Sequence, residues 1–458
     1  MTQGNHFMKC HASISIFFLI VSVFCLSCSS EVQKPNILVI IADDAGWNDV
    51  GYNGSEIETP NIDALAQGGV KLNRFYATPT CSPSRAAFLT GIPASRMGIV
   101  APISGRSEKA LPDSLITLPQ ALKEAGYETA LMGKWHLGLK PESGPMAYGF
   151  DYSYGFLHGQ IDHYAHTYKN GDQSWHRNGN FIEEEGHATD LITEETINWL
   201  TEKRSADKRF FLQVAYSAPH VPLQEEEKWK EMYNGVISDT SRRHYAAAMT
   251  HMDFGIGKIL GTLKKEELEQ NTLVLFMSDN GAQKEWYPDQ QYDGKYGPNP
   301  TLGSNSPLRG WKTSNYEGGI RVPTVLSWKG QLEQGTFENP VSITDWMPTF
   351  LEIANTEKRP AHVEGKSIAS LLYGEEKRQN RMIYVRGHLQ ESLITRKWKL
   401  IRTRHAEGET EYELYQLEKD PEEEKNVITE YTEIVSKLKQ KLEEEFQKDV
   451  DEVNYTLE

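Results

Sequence analysis

Cysteine is scarce in this chain: four occur in 458 residues, at positions 10, 25, 28 and 81. Cys10, Cys25 and Cys28 sit near the N-terminus, which rules out a disulfide-rich scaffold and leaves Cys81 alone in the body of the sequence. Basic residues are also in short supply, with 48 Lys and Arg against 64 Asp and Glu, a formal net charge of -16. A surface that acidic repels nucleic acid and anionic membranes, so a DNA- or RNA-binding role is excluded on charge. Internal repeats and long low-complexity linkers are missing too. With 38% hydrophobic and 24% charged residues the composition is that of a folded globular protein.

The N-terminus carries the one pronounced apolar run. Lys9 precedes Ile14 to Phe24, interrupted by Ser15 and Ser22, and the run ends in Cys25-Leu26-Ser27-Cys28-Ser29-Ser30. A basic residue, a short apolar stretch and small residues describe an export signal over residues 1–28, too short for a comfortable membrane span. Leu-Ser-Cys followed by Ser-Ser resembles a bacterial lipoprotein cleavage box with Cys28 as the lipidated residue, although Cys25 stands where an aliphatic residue is usual. The expectation is an exported periplasmic or cell-surface lipoprotein, attached to a membrane only through Cys28, with free secretion as the alternative. A lipid on Cys28 would leave Cys81 with no disulfide partner.

Beyond the signal, Asn36 to Ala42 and Thr272 to Met277 are continuous apolar runs rich in β-branched residues, the pattern of strands buried on both faces. Each is followed by acidic and amide residues, Asp43-Asp44 and Asp279-Asn280, where open α/β sheets place ligands. Thr59 to Ala66, Leu118 to Ala125, Thr189 to Leu200 and Ser241 to Leu263 read as helices, and Tyr127 to Met132 and Phe210 to Tyr216 as further strands. The alternation predicts an α/β fold with a large mixed central sheet flanked by helices, over residues 33–375. Gly281 to Asn305 has no period, and a loop that long is usually functional. From about residue 376 to 458 short strands and a terminal amphipathic helix predict a small C-terminal α+β subdomain.

The motif with the most chemical content is Cys81-Ser82-Pro83-Ser84-Arg85. This is the hallmark of type I sulfatases, of the alkaline phosphatase superfamily, and the chain resembles that family over nearly its whole length. The resemblance implies that a formylglycine-generating maturation enzyme oxidises Cys81 to formylglycine (3-oxoalanine). One hydroxyl of the hydrated aldehyde attacks sulfur to give a covalent sulfate hemiester, and the second expels sulfate. It also implies a hard cation, Ca²⁺ in most members and Mg²⁺ as the alternative, held by Asp43, Asp44, Asp279 and Asn280 together with the residue at Cys81.

Further elements match in family order. Gly133-Lys134-Trp135-His136-Leu137-Gly138 would supply Lys134 to the diol and sulfate oxygens and His136 as the base that helps sulfate leave. Lys134 and His136 fall two apart after a predicted strand, so extended backbone would put them on one face. Arg85, four after Cys81, would share its helix face and anchor the diol. Pro219-His220-Val221-Pro222 would place His220 to protonate the departing alcohol. Arg309-Gly310-Trp311-Lys312, leading into Glu317-Gly318-Gly319, would add Lys312 as a second cation on sulfate. Taken one at a time, each of these has an ordinary use as a solvated charge, a turn cap or a structural histidine. Their joint order carries the inference.

His158, Asp162, His163 and His166 crowd one segment without the ligand spacing of a zinc site, and read as a substrate-facing loop. Together with Arg243-His244-Tyr245 and Thr344 to Thr349, this region is similar to the N-acetylgalactosamine-4-sulfatase branch, which implies a sulfated oligosaccharide substrate. Trp286, Tyr287, Tyr292 and Tyr296 would stack on sugar rings or close a surface cavity, and long loops favour an exo-acting pocket. A phosphomonoesterase or phosphodiesterase of the same superfamily would carry Ser or Thr at position 81. A silent sugar-binding or adhesive relative would have no need of Lys134, His136, His220 and Lys312.

Overall fold

The computed structural model describes residues 1, 2, 4, 34–288, 290–356, 359–374, 381–405 and 408–450. The chain divides into two compact units, residues 1–33 and 34–458. Most of the first unit, including the expected export signal with Cys10, Cys25 and Cys28, lies outside the described residues. Among the described residues, no helix is long and apolar enough to cross a membrane.

The second unit is built on a ten-stranded mixed sheet. Its spatial order is Gly335–Phe337, Val70–Leu72, Thr324–Ser327, Thr272–Ser278, Asn36–Ala42, Phe210–Ala215, Glu128–Lys134, Tyr152–Phe156, Trp175–Arg177 and Asn180–Phe181. Strand Asn36–Ala42 is central, pairing in parallel with Phe210–Ala215 on one side and Thr272–Ser278 on the other. Its alternate side chains explain the unbroken apolar run. Ile37, Val39 and Ile41 join one core with Phe88, Leu89 and Trp346, and Leu38, Ile40 and Ala42 join a second with Met249, Met252 and Ile256.

Register decides where the chemistry collects. Ala42 is paired with Ser278, so Asp43 and Asp279 leave the sheet side by side. Strand Glu128–Lys134 runs parallel to Phe210–Ala215 with Gly133 opposite Ala215, which brings Lys134 and the His220 segment to the same carboxyl-terminal edge. Gly133 has φ +101° and a Cβ there would sit 1.9 Å from the Ala215 carbonyl oxygen, so only glycine fits this close strand contact.

A four-stranded antiparallel sheet, Ile383–Arg386, Gln390–Ile394, Lys399–Arg404 and Thr410–Tyr415, follows the main sheet in sequence, with helix Thr432–Phe446 after it. It is tied to the body by Lys399, fully buried, whose Nζ is 2.9 Å from both Glu317 Oε1 and Glu423 Oε1. Glu317 is therefore structural: it anchors the Gly-Gly turn behind Lys312 to the C-terminal sheet.

Candidate active site

Cys81 opens helix Cys81–Thr90, every residue of which is buried. Pro83 falls in the first turn, where an intrahelical backbone donor is not needed. The two serines of the motif do positional work that the sequence did not reveal. Ser82 Oγ donates to the His136 carbonyl at 2.9 Å and accepts from Ile103 N–H at 3.0 Å. Ser84 Oγ accepts from Thr78 N–H at 3.0 Å and bonds Thr78 Oγ1 at 2.7 Å, fixing the strand-to-helix turn. Such small-residue roles have no signature beyond the motif itself.

Arg85 reaches from the same helix face to Asp279, with Nη2 and Nε 2.8 and 3.1 Å from Oδ2, and Nη1 donates to the Lys134 carbonyl at 3.0 Å. Both members of this pair are buried, so removing one leaves an uncompensated charge at a cost of about 3–5 kcal/mol. Burial pushes the Cys81 thiol up, against the pull of Lys134 and Lys312, and Asp43 and Asp279 reinforce the rise. An unmodified Cys81 is thus a neutral thiol at physiological pH, the weak form of that nucleophile.

The carboxylates converge as the register requires. Lys134 Nζ donates to Asp43 Oδ2 at 2.5 Å, and Lys312 Nζ to Asp44 Oδ2 at 2.7 Å. Asn280 Nδ2 donates to Asp44 Oδ1 at 2.7 Å, and Asp44 N–H to Asp279 Oδ1 at 3.3 Å. Two acceptors are left over: Asp43 Oδ1 and Asn280 Oδ1 are buried without a hydrogen-bond partner. Burial lifts Asp43 to about 7 although Lys134 opposes it, and Asp279 and Asp44 add to the rise. Gathered hard oxygens with buried, unmatched lone pairs fit a Ca²⁺- or Mg²⁺-type cation and suit a soft metal poorly.

Both histidines have tautomers fixed by backbone carbonyls, which only accept. His220 Nδ1 donates to the Val221 carbonyl at 2.7 Å, which turns Nε2, 3.7 Å from Asp44 Oδ2, toward the carboxylates. Burial and then Lys312 depress its pKa to about 3, despite Asp44, so the ring is neutral. His136 Nε2 donates to Ile103 at 2.8 Å, leaving Nδ1 as a buried lone pair without a partner. Burial, Lys134 and Arg85 hold this ring well below the usual histidine range. The expectation that His136 shares an extended face with Lys134 is not met. His136 has φ +59° and lies past the strand end, and its aim comes from Ile103 and Ser82 rather than from strand alternation.

The structure thus brings together Asp43, Asp44, Cys81, Arg85, Lys134, His136, His220, Asp279, Asn280 and Lys312. It does not gather the four residues expected to face substrate as one group. His158 bonds Ser174 Oγ at 2.9 Å and stacks on Tyr168, and His166 stacks on Trp175. Asp162 accepts from Tyr164 N–H, Ala165 N–H and Gln224 Nε2, and His163 stacks on His187. Of the aromatic loop, Trp286 and Tyr292 are core residues, whereas Tyr287 is exposed. The apolar weight of an indole and a phenol drew the first two inside, so they are not sugar platforms.

A second buried polar group lies behind the His220 segment. His251 Nδ1 is 2.6 Å from Glu225 Oε2 and its Nε2 is 3.2 Å from Asp190, while His187 Nε2 is 3.5 Å from Glu225 Oε1. His187, Glu225 and His251 have metal-like spacing. However, His187 Nδ1 accepts from Thr189 N–H at 3.2 Å, so its proton sits on Nε2 and faces Glu225. In that tautomer His187 has no lone pair left for a cation, and the group is held by the His251–Glu225 hydrogen bond and by charge. Burial disfavours a charged His251, but Asp190 and Glu225 outweigh it and raise the pKa to about 9. A raised folded pKa contributes stability in full below about 6.5, lost as pH rises through about 9. Denaturant unfolding is therefore expected to show His251→Gln removing on the order of 2–3 kcal/mol at pH 6 and much less at pH 9.5. An equal loss at both pH values would show that His251 is uncharged.

A profile of the family described as Sulfatase matches residues 35–356, and one described as N-sulphoglucosamine sulphohydrolase, C-terminal, matches residues 310–448. N-acetylgalactosamine-6-sulfatase of Canis lupus familiaris is 32% identical over 394 residues, covering 81% of this chain and 72% of its own. Arylsulfatase J of Mus musculus is 35% identical over 342 residues, 71% of this chain, and the match spans 53% of that relative's length. Among solved structures, Ps i-CgsB superposes with a TM-score of 0.82 at 30% identity, covering 92% of this chain and 95% of that one. A complex of Ps i-CgsB with k-i-k-neocarrahexaose also gives a TM-score of 0.82, at 29% identity.

Proposed function

The chain belongs to the sulfatase family, and from that premise we propose that it hydrolyses sulfate esters of a sulfated carbohydrate, with residue 81 oxidised to formylglycine as the nucleophile. The observation that carries this reading is the setting of Cys81: a buried helix N-terminus whose thiol feels Lys134, Lys312, Asp43 and Asp279. No structural thiol needs such neighbours, and a nucleophile that attacks an anionic ester does.

Asp43, Asp44, Asp279 and Asn280 would hold Ca²⁺, which supplies Lewis-acid polarisation of a sulfate oxygen when bound. Formylglycine, once formed, supplies an oxygen nucleophile from its hydrated aldehyde. The remaining work belongs to side chains on the page. Lys134 and Lys312 bind and orient the sulfate, offsetting the charge that grows on its oxygens. His136 Nδ1, with no other partner, accepts a proton from the nucleophile's hydroxyl, and Arg85 fixes Asp279 and the strand end carrying Lys134. His220 is neutral in the empty site, with its one proton on Nδ1 held by Val221, so Nε2 must first take up a proton from solvent, a step the bound sulfate's negative charge favours, and then pass it to the leaving alcohol.

The relatives' names point to sulfated N-acetylgalactosamine and carrageenan-type oligosaccharides. Their class is proposed for this chain, with the N-acetylgalactosamine-4-sulfatase likeness as one member of it. Export with a lipid on Cys28, and maturation by a formylglycine-generating enzyme, complete the proposal. The test is inorganic sulfate release from a panel of defined sulfated oligosaccharides by the matured protein. One or more should be desulfated, and His220→Asn should lower kcat by about 10²–10⁴-fold with little change in KM. Release of phosphate but no sulfate from matched esters would refute the reading.

A further inference from the structure

We propose that a cavity beside this site, walled by Tyr164 and Tyr296 and edged by Lys230, His244 and Lys295, is a subsite for a second anionic sugar ring of the substrate. The proposal rests on the sulfated-carbohydrate reading above. The cavity holds about 440 Å³, within the range of small-molecule clefts.

Two chain segments tie it to the reaction centre. Gln224, which lines it, follows His220 by four residues, a stretch that spans at most about 14 Å. His244 directly precedes Tyr245, whose hydroxyl donates to the Asp44 carbonyl at 2.8 Å. The cavity wall is thus joined to the His220 segment and to the strand end carrying Asp44 by short stretches of chain.

Its charge runs against that of the chain. The whole protein is acidic, at -16, yet the two carboxylates lining this cavity are both spent internally. Asp162 takes Tyr164 N–H at 3.0 Å, Ala165 N–H at 2.9 Å, Gln224 Nε2 at 3.1 Å and the Tyr296 hydroxyl. Glu225 is buried against His251 and His187. The cations that face the space are Lys295, with Nζ 4.9 Å from the Tyr296 ring centroid, and Lys230, which shares its charge with the exposed Glu227 at 2.8 Å; His244 beside them is pushed toward the neutral form by burial, Lys230 and Arg243.

The aromatic component is equally placed. Tyr164 is 44% exposed, although its backbone is pinned by Asp162 and its ring lies edge-on to His187 at 5.2 Å. A large ring held rigidly and left uncovered is a platform for the apolar face of a pyranose, and cations at its border suit sulfate or carboxylate groups. The combination distinguishes a sulfated or uronic sugar from a neutral one.

Two measurements test this. On the full-length matured enzyme, Lys295→Ala and Tyr164→Ala are expected to lower kcat/KM for a sulfated oligosaccharide by about tenfold or more, mainly through KM. Hydrolysis of 4-nitrophenyl sulfate, which has no second ring, should change less than about twofold, and Lys295→Arg should restore most of the loss. Equal losses on both substrates, or no loss on the oligosaccharide, would overturn the proposal. Calorimetric binding of k-i-k-neocarrahexaose and of a 6-sulfated N-acetylgalactosamine disaccharide to the Cys81→Ala chain separates the two readings. A Kd that rises about tenfold with Lys295→Ala supports the subsite even without turnover. A wild-type protein that releases no sulfate from any ester would refute the sulfatase reading alone, and a Kd unchanged by Lys295→Ala would refute the subsite alone.

Discussion

Replacing Cys81 by serine is expected to lower sulfate release by on the order of 10⁴-fold or more while the protein stays folded. Serine is close in volume to cysteine, and the position is buried at the start of helix Cys81–Thr90, so packing is little disturbed. The loss is chemical. Serine offers one hydroxyl and has no second with which to release a bound sulfate, whereas a hydrated aldehyde has two. A serine enzyme should give at most a single stoichiometric burst followed by arrest, read by rapid-quench sulfate release together with unfolding midpoints. The same logic predicts that wild-type protein produced without a formylglycine-generating enzyme is inactive. Its thiol is held in the neutral form by burial.

Removing the cation should be nearly as damaging. Asp43 Oδ1 and Asn280 Oδ1 are buried acceptors with nothing to accept from, and Asp43, Asp44 and Asp279 crowd one strand edge. Treatment with a chelator is expected to lower activity by about 10²–10³-fold, the scale of several kcal/mol of lost charge stabilisation. Readdition of Ca²⁺ should restore it, and parallel readdition of Mg²⁺ identifies the preferred ion. Asp44→Ala should lose activity to the same degree, without rescue by either ion, and it also strands Lys312, which bonds Asp44 Oδ2 at 2.7 Å. Full activity in chelator would remove the cation from the mechanism.

Much of this was legible in the sequence because periodicity and register are local properties. The runs Asn36 to Ala42 and Thr272 to Met277 announced doubly buried strands, and parallel pairing then put Asp43 beside Asp279. Motif order singled out Lys134, His136, His220 and Lys312, which the fold brings to one place. What the sequence concealed was long-range aim. His136 is positioned by Ile103 and Ser82 through a left-handed backbone, which no strand-face argument anticipates. The crowding of His158, Asp162, His163 and His166 suggested one surface, but each side chain found a separate partner among Ser174, Gln224, His187 and Trp175. Trp286 and Tyr292 looked like sugar platforms in a polar loop, yet the loop folds them into the core. The candidate platform Tyr164 lies inside the segment read as substrate-facing but was not singled out there, because exposure depends on what the rest of the chain leaves uncovered.

The most direct test of the proposed chemistry is to measure residue 81 and activity on one preparation. Peptide mass spectrometry of enzyme matured in the presence of a formylglycine-generating enzyme should find formylglycine at position 81. Across preparations with different extents of conversion, turnover should rise in proportion to the aldehyde fraction and extrapolate to zero for the thiol. Full turnover from protein whose Cys81 is entirely unmodified would contradict the formylglycine mechanism.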